Sequence, residues 1–288
     1  MPGPEGFRLM GIVNVTPDSF SDGGRFLAPG AAIEHGLSLI AEGAGIVDVG
    51  GESTRPGAGP VPVDEELRRV QPVVEGLAAA GTGAQISIDT SKAVVARAAL
   101  DAGASLVNDV SALRGDPQMA GVVAESGADC CLMHMLGEPR TMQRDPRYDD
   151  VVDDVKSFLL ARLERAVAEG IDEDRLLLDP GIGFGKTIDH NLQLLARVDE
   201  IVALGRPVVI GTSRKAFLGR IGGDASDRSE IGQRRLAGTV ASNVLALERG
   251  VSVFRVHEVA PVREGLAVAA ATLGGRWTTS PTATTRTT

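Results

Sequence analysis

Apolar residues gather along the chain in short, nearly continuous runs, and between the runs they thin to a helical spacing. The runs are "RLMGIVNV", "GIVDVGG", "QISIDT", "SLVNDV", "CCLMHM", "RLLLDPG", "PVVIGTS" and "SVFRVHEV". Each is rich in Val, Ile and Leu and stays apolar almost to its end. Strands buried on both faces have this pattern, as in a parallel sheet covered by helices. The segments between carry helix signals. "VDEELRRVQPVVEGLAAAG" has acids in its first turn, an internal proline that predicts a kink, and a closing glycine. "SKAVVARAALDAGA" follows the third run. "DVVDDVKSFLLARLERAVAEG" places Val151, Val155, Phe158, Leu159 and Leu163 on one helical stripe. "HNLQLLARVDEIVALG" predicts one helix ending at Gly205, "RRLAGTVASNVLALERG" another ending at Gly250, and "VREGLAVAAATLG" the last.

Eight strand-then-helix units predict an α/β chain folded as a (β/α)8 TIM barrel, a single domain over residues 1–277. A doubly wound sheet is the alternative. The regular repetition and the lack of a GxGxxG turn after the first run favour the barrel. The closing stretch "TTSPTATTRTT" is Thr-rich and aperiodic, which predicts a disordered tail over 278–288. Three loops are long and rich in glycine or proline: Thr16 to Gly30, Glu52 to Val63, and "IGGDASDRSEIG" after the seventh run. Loops of this kind in a compact domain are usually functional lids.

Composition narrows the classes of function. The chain has 288 residues, 43% hydrophobic, with a net charge of −9. Its overall field does not favour nucleic acid or an anionic membrane, although a local basic pocket for a small anion is compatible with it. No run approaches the ~18 apolar residues of a membrane span. The start, "MPGPEGFRLMG", has no basic segment followed by an apolar one, so a cytoplasmic protein is expected. Cys130 and Cys131 are adjacent and point to opposite faces of a strand. They read as reduced core thiols.

Every predicted strand ends in something polar or ionisable: Asn14, Asp48, Asp89, Asn108 with Asp109, Met133 with His134, Asp179, Ser213 to Lys215, and Arg255 with His257. In a barrel these ends meet at one rim, where active sites are built. Helix capping suffices to explain a single Asp, Asp48 among them, and His134 alone reads as a hydrogen-bonded packing residue. Caps do not explain the collection. Lys215, Arg255 and His257 are donors suited to phosphate or pyrophosphate. Asp89, Asn108 and Asp179 are acceptors for the N–H groups of a planar heterocycle. The ligand implied has a donor-rich ring at one end and an anionic tail at the other. Metal-cluster spacings, a GxxxxGK[ST] loop and a GxSxG elbow are all missing, and "GIGFGKT" has the wrong spacing for a phosphate loop.

The pieces "NVTPDSFSDGG", "GAGIVDVGGESTRPGA", "SIDT", "VNDVS", "LMHM…PRTMQ", "LDPGIGFGKT", "GTSRKAFLG" and "FRVHEV", in this order from about Leu9 to Leu273, resemble the dihydropteroate synthase family. The resemblance implies a (β/α)8 barrel that condenses 6-hydroxymethyl-7,8-dihydropterin pyrophosphate with p-aminobenzoate, in a homodimer inhibited by sulfonamides. It implies that Asp89, Asn108, Asp179 and Lys215 hold the pterin, with Met133 packing nearby. Asn14, Arg255 and His257 would hold the pyrophosphate, and Asn14 would be the protein ligand of Mg2+. Phe20, Asp22, Thr54, Arg55 and Pro56 would form the aminobenzoate pocket, with Phe184, Ser213 and Lys215 beneath. Asp89, Asp179, Lys215, Arg255 and His257 would be the catalytic set. One departure from the family pattern is "RRLAGT" at 234–239, where relatives commonly carry an acid. Three other readings of the rim stay open: a pterin-binding methyltransferase domain, a silent paralogue that only binds, and a Schiff-base aldolase built on Lys215.

Overall fold

The computed structural model describes residues 6–16, 29–54, 57–223 and 231–275. The tail expected over 278–288, and Phe20, Asp22, Arg55 and Pro56, lie outside the described residues. Among the described residues there are eight strands: β1 Arg8–Asn14, β2 Ile46–Gly50, β3 Gln85–Asp89, β4 Leu106–Asp109, β5 Asp129–Met133, β6 Leu176–Asp179, β7 Val209–Ile210 and β8 Val253–Val256. Every pairing is parallel, in the order β6-β5-β4-β3-β2-β1-β8-β7. A parallel bridge between Leu178 and Val208, with Leu178 N donating to Pro207 O at 3.0 Å, joins the two ends of the sheet. The barrel expected from the sequence is the fold.

The helices are α1 Pro29–Ala41, α2 Val63–Ala79, α3 Ala93–Asp101, α4 Met119–Ser126, α5 Val151–Ala168, α6 Ile188–Ala196, α7 Asp199–Val202, α8 Ala216–Ile221, α9 Ile231–Glu248 and α10 Val259–Gly274. α2 runs on through Pro72. α1 and α4 were not singled out by pattern, and neither has an acidic first turn to announce it. The single helix expected from His190 to Gly205 is two. Arg197 leaves helical geometry at φ −121 and ψ 25, and its guanidinium bonds Asp150 and Glu200, each at 2.7 Å. Asp150 is itself the N-cap of α5, so the break ties three elements together.

Alternation along the strands builds two cores. Leu9, Val13, Val47, Val49, Ile88, Val107, Leu132 and Leu178 face outward and join the sheet-to-helix core. Met10, Ile46, Leu106, Cys131, Leu177, Val209 and Val253 face inward and plug the barrel. Each such side chain, fully buried, contributes roughly 1.5–3 kcal/mol. Cys130 falls in the outer core and Cys131 in the inner one, both as free thiols, and burial pushes both thiols well up. Among the described residues no helix is long and apolar enough to cross a membrane.

Candidate active site

Above the apolar plug the barrel interior turns polar. Asp48 sits there fully buried, and its carboxylate accepts from Ser87 Oγ at 2.6 Å, Asn108 Nδ2 at 3.0 Å and Arg255 Nε at 2.6 Å. The cap reading of Asp48 is therefore wrong. Its strand position points inward, where Ser87, Asn108 and Arg255 on β3, β4 and β8 supply the donors. The other nitrogen of the fork, Arg255 Nη2, donates to Asp89 Oδ2 at 2.8 Å. One guanidinium thus bridges two carboxylates from β2 and β3.

This sharing sets the electrostatics. Burial pushes the Asp89 carboxyl up to about 7, the nearby acids Asp48, Glu66 and Asp109 push the same way, and Arg255 opposes them. Burial also works against the charge on Arg255, but Asp48 and Asp89 hold it above the ordinary arginine value. Asp179 is raised by burial, opposed by a backbone hydrogen bond from Gly181 N at 2.7 Å and by Lys215, Arg255 and Lys186. Strand register sets Asp89 beside Gly50 and Asn108, and Asp179 beside Met133, each at the last residue of its strand.

The remaining rim residues have the following surroundings. Lys215 Nζ stands 4.2 Å above the Phe184 ring, a favourable cation–π geometry. Phe184 packs against Met133, Met135, Met142 and Val110, a methionine-rich wall. Ser213 Oγ lies 2.9 Å from His257 Nδ1 and accepts from the His257 backbone N at 3.1 Å. Ser213 and His257, assigned by resemblance to different parts of the substrates, are in contact. Asn14 is half-buried at the tip of β1, paired in register with Gly50 of β2. Thr54 is half-buried at the start of the segment after β2. Asp109, next to Asn108, is a local turn residue: it accepts from Ser111 N, Ser111 Oγ and Leu113 N at 2.7–2.8 Å.

"GIGFGKT" is the loop that carries Phe184. Gly181 has φ +69, and a Cβ there would lie 1.9 Å from the His134 carbonyl oxygen, so only glycine fits. Side chains from outside hold the loop backbone, among them Gln143 on Gly183 O and Tyr148 on Gly185 O, both at 2.7 Å, and Asn191 accepting from Gly183 N at 2.6 Å. Thr187 caps α6 in a reciprocal bond pair with His190. Lys186, buried at 3% exposure, contacts Phe184 O at 3.0 Å and His134 Nδ1 at 2.9 Å. Burial and Lys215 bring this amine down to about 7 against the pull of Asp179. Burial, with Lys186 and Arg114, takes His134 down to about 3. His134 also meets Phe158 edge-on at 4.8 Å, so it is the packing histidine expected. Sequence reasoning named Asp48 at a strand end but gave it the cap reading, and it passed over Lys186. Both stood inside quoted motifs, and the inward register of one and the apolar shell of the other are tertiary facts.

A cavity of about 350 Å³ opens at the opposite end of the barrel, lined by Arg8, Asp129, Asp174, Arg175 and Ser252 among others. Its polar groups are bonded to one another: Arg8 donates to the Gln85 amide oxygen, Arg175 pairs with Asp129, and Asp174 with Arg206. Barrel active sites lie at the other end, the C-terminal rim, where Arg255 bridges Asp48 and Asp89.

Residues 10–257 match the family model of pterin binding enzymes. The chain is 48% identical over 270 residues to the dihydropteroate synthase of Mycobacterium leprae, covering 92% of this chain and 93% of the relative. It is similar to a Yersinia pestis dihydropteroate synthase solved with a sulfonamide drug complex, with a TM-score of 0.86 and 43% identity over 93% and 94% of the two chains. It is also similar to the dihydropteroate synthase from Xanthomonas albilineans in complex with 7,8-dihydropteroate, with a TM-score of 0.81 and 46% identity over 92% and 93%.

Proposed function

The chain belongs to the dihydropteroate synthase family of pterin binding enzymes, and from that membership we propose how its rim residues divide the work. The reaction joins 6-hydroxymethyl-7,8-dihydropterin pyrophosphate to p-aminobenzoate and releases 7,8-dihydropteroate and pyrophosphate. The chain is therefore a transferase of folate biosynthesis and a sulfonamide target.

Asp89, Asn108, Asp179 and Lys215 hold the pterin ring, with Met133 against its face. The two buried carboxylates accept ring and amino protons, which an apolar wall alone would leave unpaired. Arg255, His257 and Asn14 hold the pyrophosphate. The pterin C–O bond breaks with its electron pair leaving on pyrophosphate, and the positive charge is delocalised into the ring. Asp89 and Asp179 face that charge. The aminobenzoate nitrogen lone pair then forms the C–N bond and sheds one proton. A neutral arylamine is already nucleophilic, so a strong general base is not required. Thr54, Ser213, Phe184 and the stem of Lys215 flank the incoming amine.

Magnesium is the proposed cofactor. The rim fits an ion that takes one or two protein oxygens and otherwise substrate phosphate and water. Asn14 offers an amide oxygen at the tip of β1, and among the described residues no group of three His, Cys, Asp or Glu forms a separate cage. When bound, magnesium supplies charge neutralisation to the departing pyrophosphate. Asn14→Ala should raise the magnesium concentration needed for half-maximal rate, and an unchanged requirement would remove Asn14 from that role. We further place the chain in the cytoplasm as a homodimer. Leu245 on α9 and Val268 and Leu273 on α10 are more than half exposed, an apolar surface that supports self-association.

The observation that carries this reading is the Arg255 guanidinium bridging Asp48 and Asp89 inside the barrel, at the end where Asp179 closes β6 and Lys215 follows β7. Pyrophosphate release should need both substrates and magnesium, and a sulfonamide should compete with p-aminobenzoate. Release no faster with both substrates than with pterin pyrophosphate alone would overturn it.

A further inference from the structure

Glu66 lies on the outer helix α2 yet is fully buried. Its two oxygens serve different neighbours. Oε1 accepts from Thr90 Oγ1 at 2.7 Å, and Oε2 pairs with the Lys92 ammonium. Thr90 directly follows Asp89, and its backbone N donates to Asn108 O. The same Lys92 ammonium also pairs with Glu52, two residues past the end of β2 and two before Thr54.

Lys92 is a fixed post. Its backbone N donates to Thr90 Oγ1 at 3.2 Å, and the next residue, Ala93, is held by Asp116 Oδ2 at 3.0 Å. Burial opposes its charge, but Glu52 and Glu66 keep the ammonium above the ordinary lysine value. The segment it grips is held a second time, by Arg69 Nη1 on Gly51 O at 2.8 Å. There is no slack at that point: a Cβ on Gly51 would come within 2.7 Å of Val70 Cγ1.

We infer that Lys92 is a positioning residue that locks the exit of β2 to the exit of β3, so that Glu52–Thr54 sits at a set height over Asp89. The pair Glu52–Lys92 orders the aminobenzoate side of the mouth, and the trio Lys92–Glu66–Thr90 orders the pterin side. The inference rests on the assignment of Thr54 to the aminobenzoate pocket.

Glu52→Gln separates the two sides, because Lys92, Glu66 and Thr90 keep their bonds to each other. Initial rates of pyrophosphate release are measured against each substrate in turn. The KM for p-aminobenzoate should rise roughly five- to tenfold, the loss expected for one charge-assisted contact. The KM for the pterin pyrophosphate and kcat should stay within about twofold. Glu52→Asp keeps the charge but shortens the reach, and should fall between wild type and Glu52→Gln. Lys92→Met, which frees both sides, should raise both KM values. An unchanged aminobenzoate KM in Glu52→Gln, or an equal rise in both, overturns the inference. Sulfonamide competition in the wild-type enzyme tests the pocket separately: without it the pocket assignment and the inference fall together, and with it only the role of Lys92 is at stake.

Discussion

Asp48→Asn isolates the consequence of two carboxylates sharing one guanidinium. The substitution keeps the size of a side chain that is fully buried and bonded to Ser87, Asn108 and Arg255. Oxygens held on neighbouring nitrogens of one guanidinium stand on the order of 5 Å apart, so their repulsion is about 3 kcal/mol at an effective dielectric near 20. That equals about two pH units of proton affinity. Without the Asp48 charge, Arg255 pairs with Asp89 alone and the Asp89 carboxyl ionises more readily than at its present value of about 7. Stabilising a pterin cation needs the ionised form. The acid limb of kcat/KM for the pterin pyrophosphate, which reports the free enzyme, should therefore move down by about one to two pH units. The assay is pyrophosphate release at subsaturating pterin pyrophosphate over roughly pH 5 to 9. The variant should also lose about 3–5 kcal/mol, the cost of breaking a buried ion pair. In a chain of this size that is roughly 10 °C in Tm. A folded variant whose acid limb stays put, or moves up, would refute the shared-guanidinium argument.

Three more outcomes are expected. Gly181→Ala should cost more than about 3 kcal/mol, because the new methyl meets the His134 carbonyl. Gly81→Ala, at φ +60 with nothing within 4 Å, should cost only about 1 kcal/mol by thermal or urea unfolding, and equal losses would undo the steric explanation. Lys215→Met should cut kcat/KM for the pterin pyrophosphate by about 10²–10³, the loss expected when a charged group is left out of a preorganised site, while a rate near wild type would remove Lys215 from the set. The folded Asp89 value lies above its unfolded value of 3.8, so its stabilising share is full below about pH 4 and lost as pH rises through about 7. Asp89→Asn should flatten that decline by on the order of 2 kcal/mol in chemical denaturation at pH 5 and pH 8, and parallel wild-type and variant curves would contradict the raised carboxyl.

Much of the site was legible because a strand writes its own faces into the sequence. The run ending in Asn14 or Asp89 shows a polar residue where an apolar one would continue, and a barrel brings all such tips to one rim. The cap reading did not hold for Asp109, although its partners are local: this carboxylate accepts from Ser111 and Leu113 in a turn ahead of α4. It failed also for Asp48, whose partners lie 39, 60 and 207 positions away. The helix expected from His190 to Gly205 broke for the same reason. Its pattern is continuous, but Arg197 is drawn out by Asp150, 47 residues earlier.

The sequence alone determined the alternation of strand and helix, the barrel, and the kind of chemistry at the strand ends, because periodicity and residue type are properties of neighbours in the chain. Only the tertiary structure decided that Arg255 is divided between Asp48 and Asp89, that Glu66 is buried on an outer helix, and that Lys186 stands dry behind Phe184. Those are matters of desolvation and charge pairing across the closed barrel, and they exist only once distant strands have met.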